Sequence, residues 1–498
     1  MSNISLRSDD SQMSLGEDRI FHGLTKNVVA LSLAVATLNY NIGLTSYMLY
    51  LMNLEGSLDD TSILWTSLNP SFLLGGLFAG QLFYGFFGTY IGRVRSFQAC
   101  NLLMFFGSLG GGIGLIIDLV TGTNSVTVHL TENAIFKLFF GFGAGGLYPV
   151  MATVTKESSQ SAVANSTLAL VFGPLGSIGF ILAPLIVMIL STADFSTQTQ
   201  WRIAMALGIF PSTALLFLQK TDGNSKSSKV SSIQQQINGR EREGTESGGS
   251  RNSASAWDKM YIVFEKDVAV LLKPPLYKLL LGTMLSWFCS DILYYSTFLL
   301  QFEAIYKIVA KGDYDDDYTL SLTSYAAIGM VSAISFWIGG LFAVHRLRKI
   351  SALALQVQGF TISAIFFFLG AVSKAVLPDD LYVIPLLLYF GCCFCLGYGP
   401  APTTFLSCSF IFPVSVSSTA NGIASAFGKI GAIVIVFAIQ YLDMSVINYL
   451  GICSAVSILG VGSTMVTLKQ YFPLAPTRQE TLDREAAYVD SVREIDYV

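Results

Sequence analysis

From residue 27 onward the chain alternates long apolar stretches with short polar breaks. Apolar runs lie near 27–52, 61–87, 97–120, 134–155, 163–191 and 203–218; after a polar interval come runs near 276–302, 319–345, 350–373, 381–410, 419–441 and 446–468. Each is about the length an α-helix needs to cross ~30 Å of hydrocarbon at ~1.5 Å per residue. The ten-residue alternation of apolar and polar positions that marks a membrane β-barrel is absent, so the spans are expected to close their backbone hydrogen bonds within helices. The pattern predicts an all-α membrane protein with about twelve transmembrane helices in two six-helix bundles. Its expected divisions are a tail over 1–26, a first bundle over 27–219, a linker over 220–275, a second bundle over 276–470 and a tail over 471–498.

Composition narrows the function classes. Charged residues make up 12% of the 498 and hydrophobic ones 52%, about half the charge of a soluble globular protein, which excludes an ordinary soluble enzyme. The net charge of −4 comes with no basic patch, so no nucleic-acid partner is expected. The lipid bilayer is the expected surrounding. The three histidines, His22, His129 and His345, fall near membrane edges or loops, and there is no nucleotide-binding loop or nucleophile triad. No catalytic residue, metal site or cofactor is therefore expected, and nothing in the sequence sets an oligomeric state. Cys392, Cys393 and Cys395 sit in an apolar run without the spacing of a zinc or redox site, and read as small buried thiols. The polar N-terminal residues, with Arg7, Asp9, Asp10 and Glu17 among them, do not resemble a cleavable leader.

Loop charge predicts orientation. Lys and Arg gather in the first tail (Arg19, Lys26), the second loop (Arg93, Arg95), the linker (Lys220, Lys226, Lys229, Arg240, Arg242) and the eighth loop (Arg346, Arg348, Lys349), which all fall on one side. That side is expected to be cytoplasmic, with both termini on it. Residues 220–256 are rich in Ser, Gly, Gln and Lys and too poor in apolar residues to order themselves. Two six-span halves joined by such a linker fit a carrier whose substrate binds at the midplane between them.

The second loop reads Gly80-Gln81-Leu82-Phe83-Tyr84-Gly85-Phe86-Phe87-Gly88-Thr89-Tyr90-Ile91-Gly92-Arg93. It resembles the gating signature between the second and third spans of the major facilitator superfamily, with Gly80, Gly85, Gly92 and Arg93 at matching positions and Thr89 where that signature carries an acid. Three further segments resemble the phosphate:proton symporters of that superfamily: Gly141 to Pro149 with Tyr148, Trp287 to Ser296, and Gly399 to Ile433 with Lys429. The resemblance runs over roughly residues 30–475. It implies proton-coupled uptake of inorganic phosphate at a plasma membrane, with Tyr148, Trp287, Asp291, Tyr295 and Lys429 lining the anion site and Asp291 coupling protons.

The residues themselves point the same way. A carboxylate or ammonium in an apolar helix is costly unless it faces a cavity or a partner, which marks Asp291 and Lys429. Trp287, Asp291 and Tyr295 are spaced four apart and share one helix face. Together with Tyr148 they would supply hydrogen-bond donors, a cation and a protonatable group to a small oxyanion. The alternatives are a structural Asp291–Lys429 ion pair, and Trp287 and Tyr295 as packing residues only. Asp118 and Lys137 are expected to snorkel at the outer surface.

The chain departs from the symporter pattern at Leu147, at Asn39 and Asn41, at Ala401, and around Phe172 and Gly173, where acids or amides are expected. Neither Leu nor Asn can carry a proton at ambient pH. Three outcomes follow: Asp291 alone couples protons to the anion, the chain carries another small organic solute such as a sugar, or it is a nutrient sensor that does not transport.

Overall fold

The computed structural model describes residues 26–54, 60–121, 126–158, 167–193, 195–220, 256–309, 321–441 and 444–465, which are helical almost throughout. The first half opens with α1 (Lys26–Leu54), α2 (Asp60–Ile91), α3 (Arg93–Thr121) and α4 (Val126–Ser158). A π turn at Val171–Leu175 leads into α5 (Gly176–Ser191), followed by α6 (Thr197–Leu207) and α7 (Ile209–Lys220). After α8 (Ala256–Leu271) come α9 (Leu276–Phe298), α10 (Gln301–Val309), α11 (Leu322–Arg346) and α12 (Ala352–Val376). The chain then forms α13 (Val383–Tyr398), α14 (Pro400–Ile411), α15 (Val414–Tyr441) and α16 (Val446–Ser463). Among the described residues, 10 helical segments are long and apolar enough to cross a membrane. The third and sixth predicted spans are also helical, as α3 and as α6 with α7.

Three spans that the hydrophobic pattern treats as continuous are interrupted. In the fifth, Gly173 leaves helical geometry (φ −84, ψ −112) and Pro174 brings no N–H, so the turn widens to π form. The sixth divides at Gly208. The tenth divides at Gly399 (φ −125, ψ −84), where Pro400 starts α14. None of these breaks changes which side chains are apolar, so hydrophobic periodicity does not register them.

Close backbone packing holds each half together. A Cβ on Gly76, Gly80, Gly141 or Gly145 would come within 2.1–2.3 Å of a carbonyl oxygen on the facing helix, so α2 and α4 meet with nothing between them. In a bilayer, where lipid tails are as apolar as Leu, such van der Waals contact replaces the hydrophobic effect as the force that joins helices. Gly80 therefore serves packing inside the first half. The second half is built around α9 on α15, α12 on α16 and α11 on α13, and the halves meet through α2 on α15 and α5 on α11.

The halves touch at both ends of the molecule. At one end, a Cβ on Gly85 would lie 2.8 Å from the Cα of Gly422, and Thr419 Oγ1 is 3.3 Å from the Gly85 carbonyl oxygen. At the other, Ser46 Oγ lies 2.9 Å from the Tyr325 hydroxyl and accepts from the Phe302 amide at 2.9 Å. Tyr47 packs on Tyr325 there, ring centroids 4.9 Å apart. Gly92 takes a positive φ of 95 at the break between α2 and α3, a conformation glycine reaches without steric penalty. The side chains of Thr89, Arg93, Asp118, Lys156 and Glu157 lie outside the described residues, as does most of the expected linker.

Within that linker, however, α8 forms a helix that lies against α2 and α15. Phe264 meets Phe86 edge-on at 4.7 Å, and the Thr419 hydroxyl is 2.7 Å from Asp267 Oδ2. Burial raises the Asp267 carboxyl above its usual range, while the Thr419 hydroxyl and the Lys266 charge oppose that rise. Helix α8 thus covers the seam where Gly85 and Gly422 meet. Replacing Gly85 or Gly422 with Leu should prop this seam open. The expected result is faster labelling of an Ala401→Cys thiol by a polar maleimide entering from that end, measured against the seven native cysteines, all of which are buried. Labelling no faster than in the parent would show that the glycine contact does not close the molecule.

Candidate functional site

Helix α9 crosses the middle of the molecule beside α15, and their approach is set by small residues. A Cβ on Gly428 would collide with the Asp291 carboxylate and come within 3.1 Å of the Trp287 carbonyl oxygen. The absence of that Cβ lets Lys429 reach Asp291, with Nζ 2.5 Å from Oδ2. Both side chains are almost wholly buried, at 1% and 5% exposure. The two costly residues of the sequence are therefore direct partners.

Three aromatic rings surround the ammonium. Lys429 Nζ lies 4.8 Å from the ring centroid of Tyr295, 5.5 Å from Tyr148 and 5.5 Å from Trp287, all within cation–π range. The four-residue spacing places Trp287, Asp291 and Tyr295 on one face of α9, and Tyr148 meets Trp287 edge-on from α4 at 5.8 Å. All five residues selected from the sequence converge, four from the second half and Tyr148 from the first. The Trp287 indole N–H is buried and makes no hydrogen bond among the described residues, while the buried Tyr295 hydroxyl interacts with the Tyr148 hydroxyl. Buried donors are normally paired, which marks the Trp287 N–H as the unmet donor at this site.

A cavity of ≈ 40 Å³ adjoins the pair, room for about three waters. Tyr148, Trp287, Asp291 and Tyr295 line it, with Asn39, Phe172, Tyr294, Ala401 and Phe405 among the other walls. Of the positions where the sequence departs from the symporter pattern, Asn39, Phe172 and Ala401 face the cavity. Leu147 is buried outside its lining, and Asn41 donates to the Thr37 carbonyl oxygen.

Several participants are not visible in sequence. The Tyr294 hydroxyl donates to Asn39 Oδ1 at 2.9 Å across the two halves, while Asn39 Nδ2 donates to the Gly176 carbonyl oxygen. Phe172 and Phe405, also from opposite halves, lie with ring centroids 3.8 Å apart. Unremarkable aromatic positions in apolar spans carry no signal that would separate them from lipid-facing neighbours. Lys137 is a correction: it does not snorkel at a surface but is 6% exposed inside the first half, where Nζ donates to Thr45 Oγ1 at 2.6 Å. It lies six positions into the apolar segment Thr131–Met151 and turns inward to α1, where Thr45 partners it.

Removing one member of a buried ion pair leaves the other uncompensated, at a cost of about 3–5 kcal/mol. Asp291→Ala should therefore lower the melting temperature in detergent markedly, and Asp291→Leu combined with Lys429→Met should recover most of that loss. A double variant no more stable than Asp291→Ala would show that the two charges do not depend on each other.

Comparison with known proteins agrees with this architecture. Inorganic phosphate transporter 1-11 of Oryza sativa subsp. japonica is 27% identical over 406 residues, covering 74% of this chain and 69% of the relative. Probable inorganic phosphate transporter 1-3 of Arabidopsis thaliana is 28% identical over 409 residues, covering 74% of each. Among solved structures, the partially occluded inward-open xylose transporter XylE from E. coli superposes with a TM-score of 0.66 at 16% identity, over 92% of this chain and 99% of that one. A bacterial homologue of the iron transporter ferroportin in an outward-facing state gives 0.57 at 13% identity, over 89% and 98%. At such identities these structures share the fold. The sequence profile of the Major Facilitator Superfamily matches residues 29–436, most of the chain, and the protein is a member of that superfamily of multi-pass membrane transporters.

Proposed function

We propose that this transporter carries inorganic phosphate, or a related small oxyanion, into the cell together with protons. The observation that carries the reading is the Asp291–Lys429 pair, 2.5 Å apart beside a cavity shared by both halves. While Asp291 is charged it occupies the ammonium, and no anion can displace it without leaving two like charges together in a low dielectric. A proton on Asp291 dissolves the ion pair. The ammonium, held by three aromatic faces, then meets the oxyanion, while the Trp287 N–H and the Tyr295 and Tyr148 hydroxyls donate to its oxygens.

Release reverses the order. When Asp291 loses its proton on the other side, the carboxylate again competes for Lys429 and expels the anion. Alternating access takes the form of rocking between the 27–219 and 276–470 bundles, with Gly85 against Gly422 closing one end and Ser46 and Tyr47 against Tyr325 closing the other. The excess of Lys and Arg in its loops assigns the Gly85 end to the cytoplasm, with both termini on that side. The names of the plant relatives favour phosphate, and uptake into the cell would place the carrier in the plasma membrane. Binding and release at this site leave the solute chemically unchanged, so the protein works as a carrier rather than as an enzyme.

Purified protein in liposomes tests the reading directly. Uptake of labelled phosphate should rise with an inward proton gradient. Asp291→Asn should remove the gradient dependence, and Lys429→Ala should abolish uptake altogether. Gradient-driven uptake that survives in Asp291→Asn would rule out Asp291 as the coupling group. A folded wild type that moves no phosphate would rule out the substrate.

A further inference from the structure

We infer that Phe172, paired with Phe405, sets the upper size of the anion this transporter accepts, restricting it to compact inorganic oxyanions and excluding their organic esters. The inference rests on the small-anion reading of the site and concerns a different wall of it. Phe172 and Phe405 come from opposite halves, and their ring planes lie 31° apart at a centroid distance of 3.8 Å. Tyr148 packs on both, at 5.7 Å from Phe172 and 6.0 Å from Phe405, and Trp287 meets Phe405 at 6.4 Å. The pair therefore forms an apolar floor directly beneath the donors that face the anion.

Backbone geometry positions that floor. Phe172 sits inside the π turn Val171–Leu175, whose extra residue per turn rotates the side chains that follow it. Gly173 and Pro174 within the turn lie against Gly340 of α11, where a Cβ on Gly340 would come within 3.1 Å of the Pro174 nitrogen. The bulge is thus seated against the opposite half by small residues, with Phe172 among the residues that line the cavity. The space left, ≈ 40 Å³, holds about three waters, which is less than a sugar or a phosphate ester needs. The floor offers no hydrogen bond to a hydroxylated tail, so a larger solute would have to part the rings and leave its polar groups unpaired.

Uptake of labelled phosphate and labelled glycerol 3-phosphate would be compared in liposomes carrying the wild type, Phe172→Leu, Phe172→Ala or Phe405→Ala. The wild type should carry phosphate and almost no ester. Both Ala variants should admit the ester at least about tenfold faster than the wild type and raise the phosphate KM, the scale on which pocket size discriminates between substrates. Phe172→Leu, which keeps most of the volume, should fall between. The size limit is overturned if the wild type carries the ester as fast as phosphate. It is equally overturned if both Ala variants, folded by size exclusion and still carrying phosphate, exclude the ester as the wild type does. A wild type that carries neither solute overturns the anion reading and this inference with it.

Discussion

A carboxylate and an ammonium buried together in a membrane protein constrain everything around them. Neither Asp291 nor Lys429 is tolerable alone at that depth, and each is stable only while the other, or a proton or an anion, compensates its charge. The glycine at 428 exists because a Cβ there would drive the two helices apart and break the contact. The rings of Tyr148, Trp287 and Tyr295 wall the cavity beside the pair and offer the ammonium three electron-rich faces. The proposed coupling step acts on this same interaction, which a proton on Asp291 would dissolve.

Around this centre the two halves close in layers. Nearest to the cavity, Tyr294 and Asn39 join the halves by a hydrogen bond and Phe172 and Phe405 by ring contact. Further out, Gly85 meets Gly422 at one end and Ser46 meets Tyr325 at the other. These contacts differ in kind. Glycine against glycine closes by shape alone and needs no charge, in keeping with Thr89 standing where the superfamily signature carries an acid. Helix α8 adds a carboxyl group at the same seam through Asp267 and Thr419. Both sets of contacts are present together, so the halves meet on each side of the cavity in this structure.

The departures from the phosphate symporter pattern fall into two groups once their positions are known. Leu147 and Asn41 lie away from the cavity lining, so the loss of an acid there leaves the walls unchanged. Asn39, Phe172 and Ala401 are walls, of which Phe172 and Ala401 are apolar and Asn39 is engaged by Tyr294 and the Gly176 carbonyl oxygen. Apolar walls offer few dipoles to solvate Asp291 and Lys429, which strengthens the attraction between the two charges.

The amino-acid sequence by itself determined the membrane, the number of spans, the helical class and the five residues at the centre. Long uncharged runs have one stable solution in a bilayer, and a charge within such a run is too costly to be there without a role or a partner. Spacing of four along α9 was enough to put Trp287, Asp291 and Tyr295 on one face. Tertiary structure alone decided that Asp291 and Lys429 touch, that Phe172 meets Phe405, that Lys137 is buried beside Thr45, and that the last part of the linker docks as a helix against α2 and α15. Each of these depends on which face of one span meets which face of another. Hydrophobicity in a bilayer leaves that choice nearly degenerate, because lipid and protein interior are equally apolar, and packing of small residues settles it.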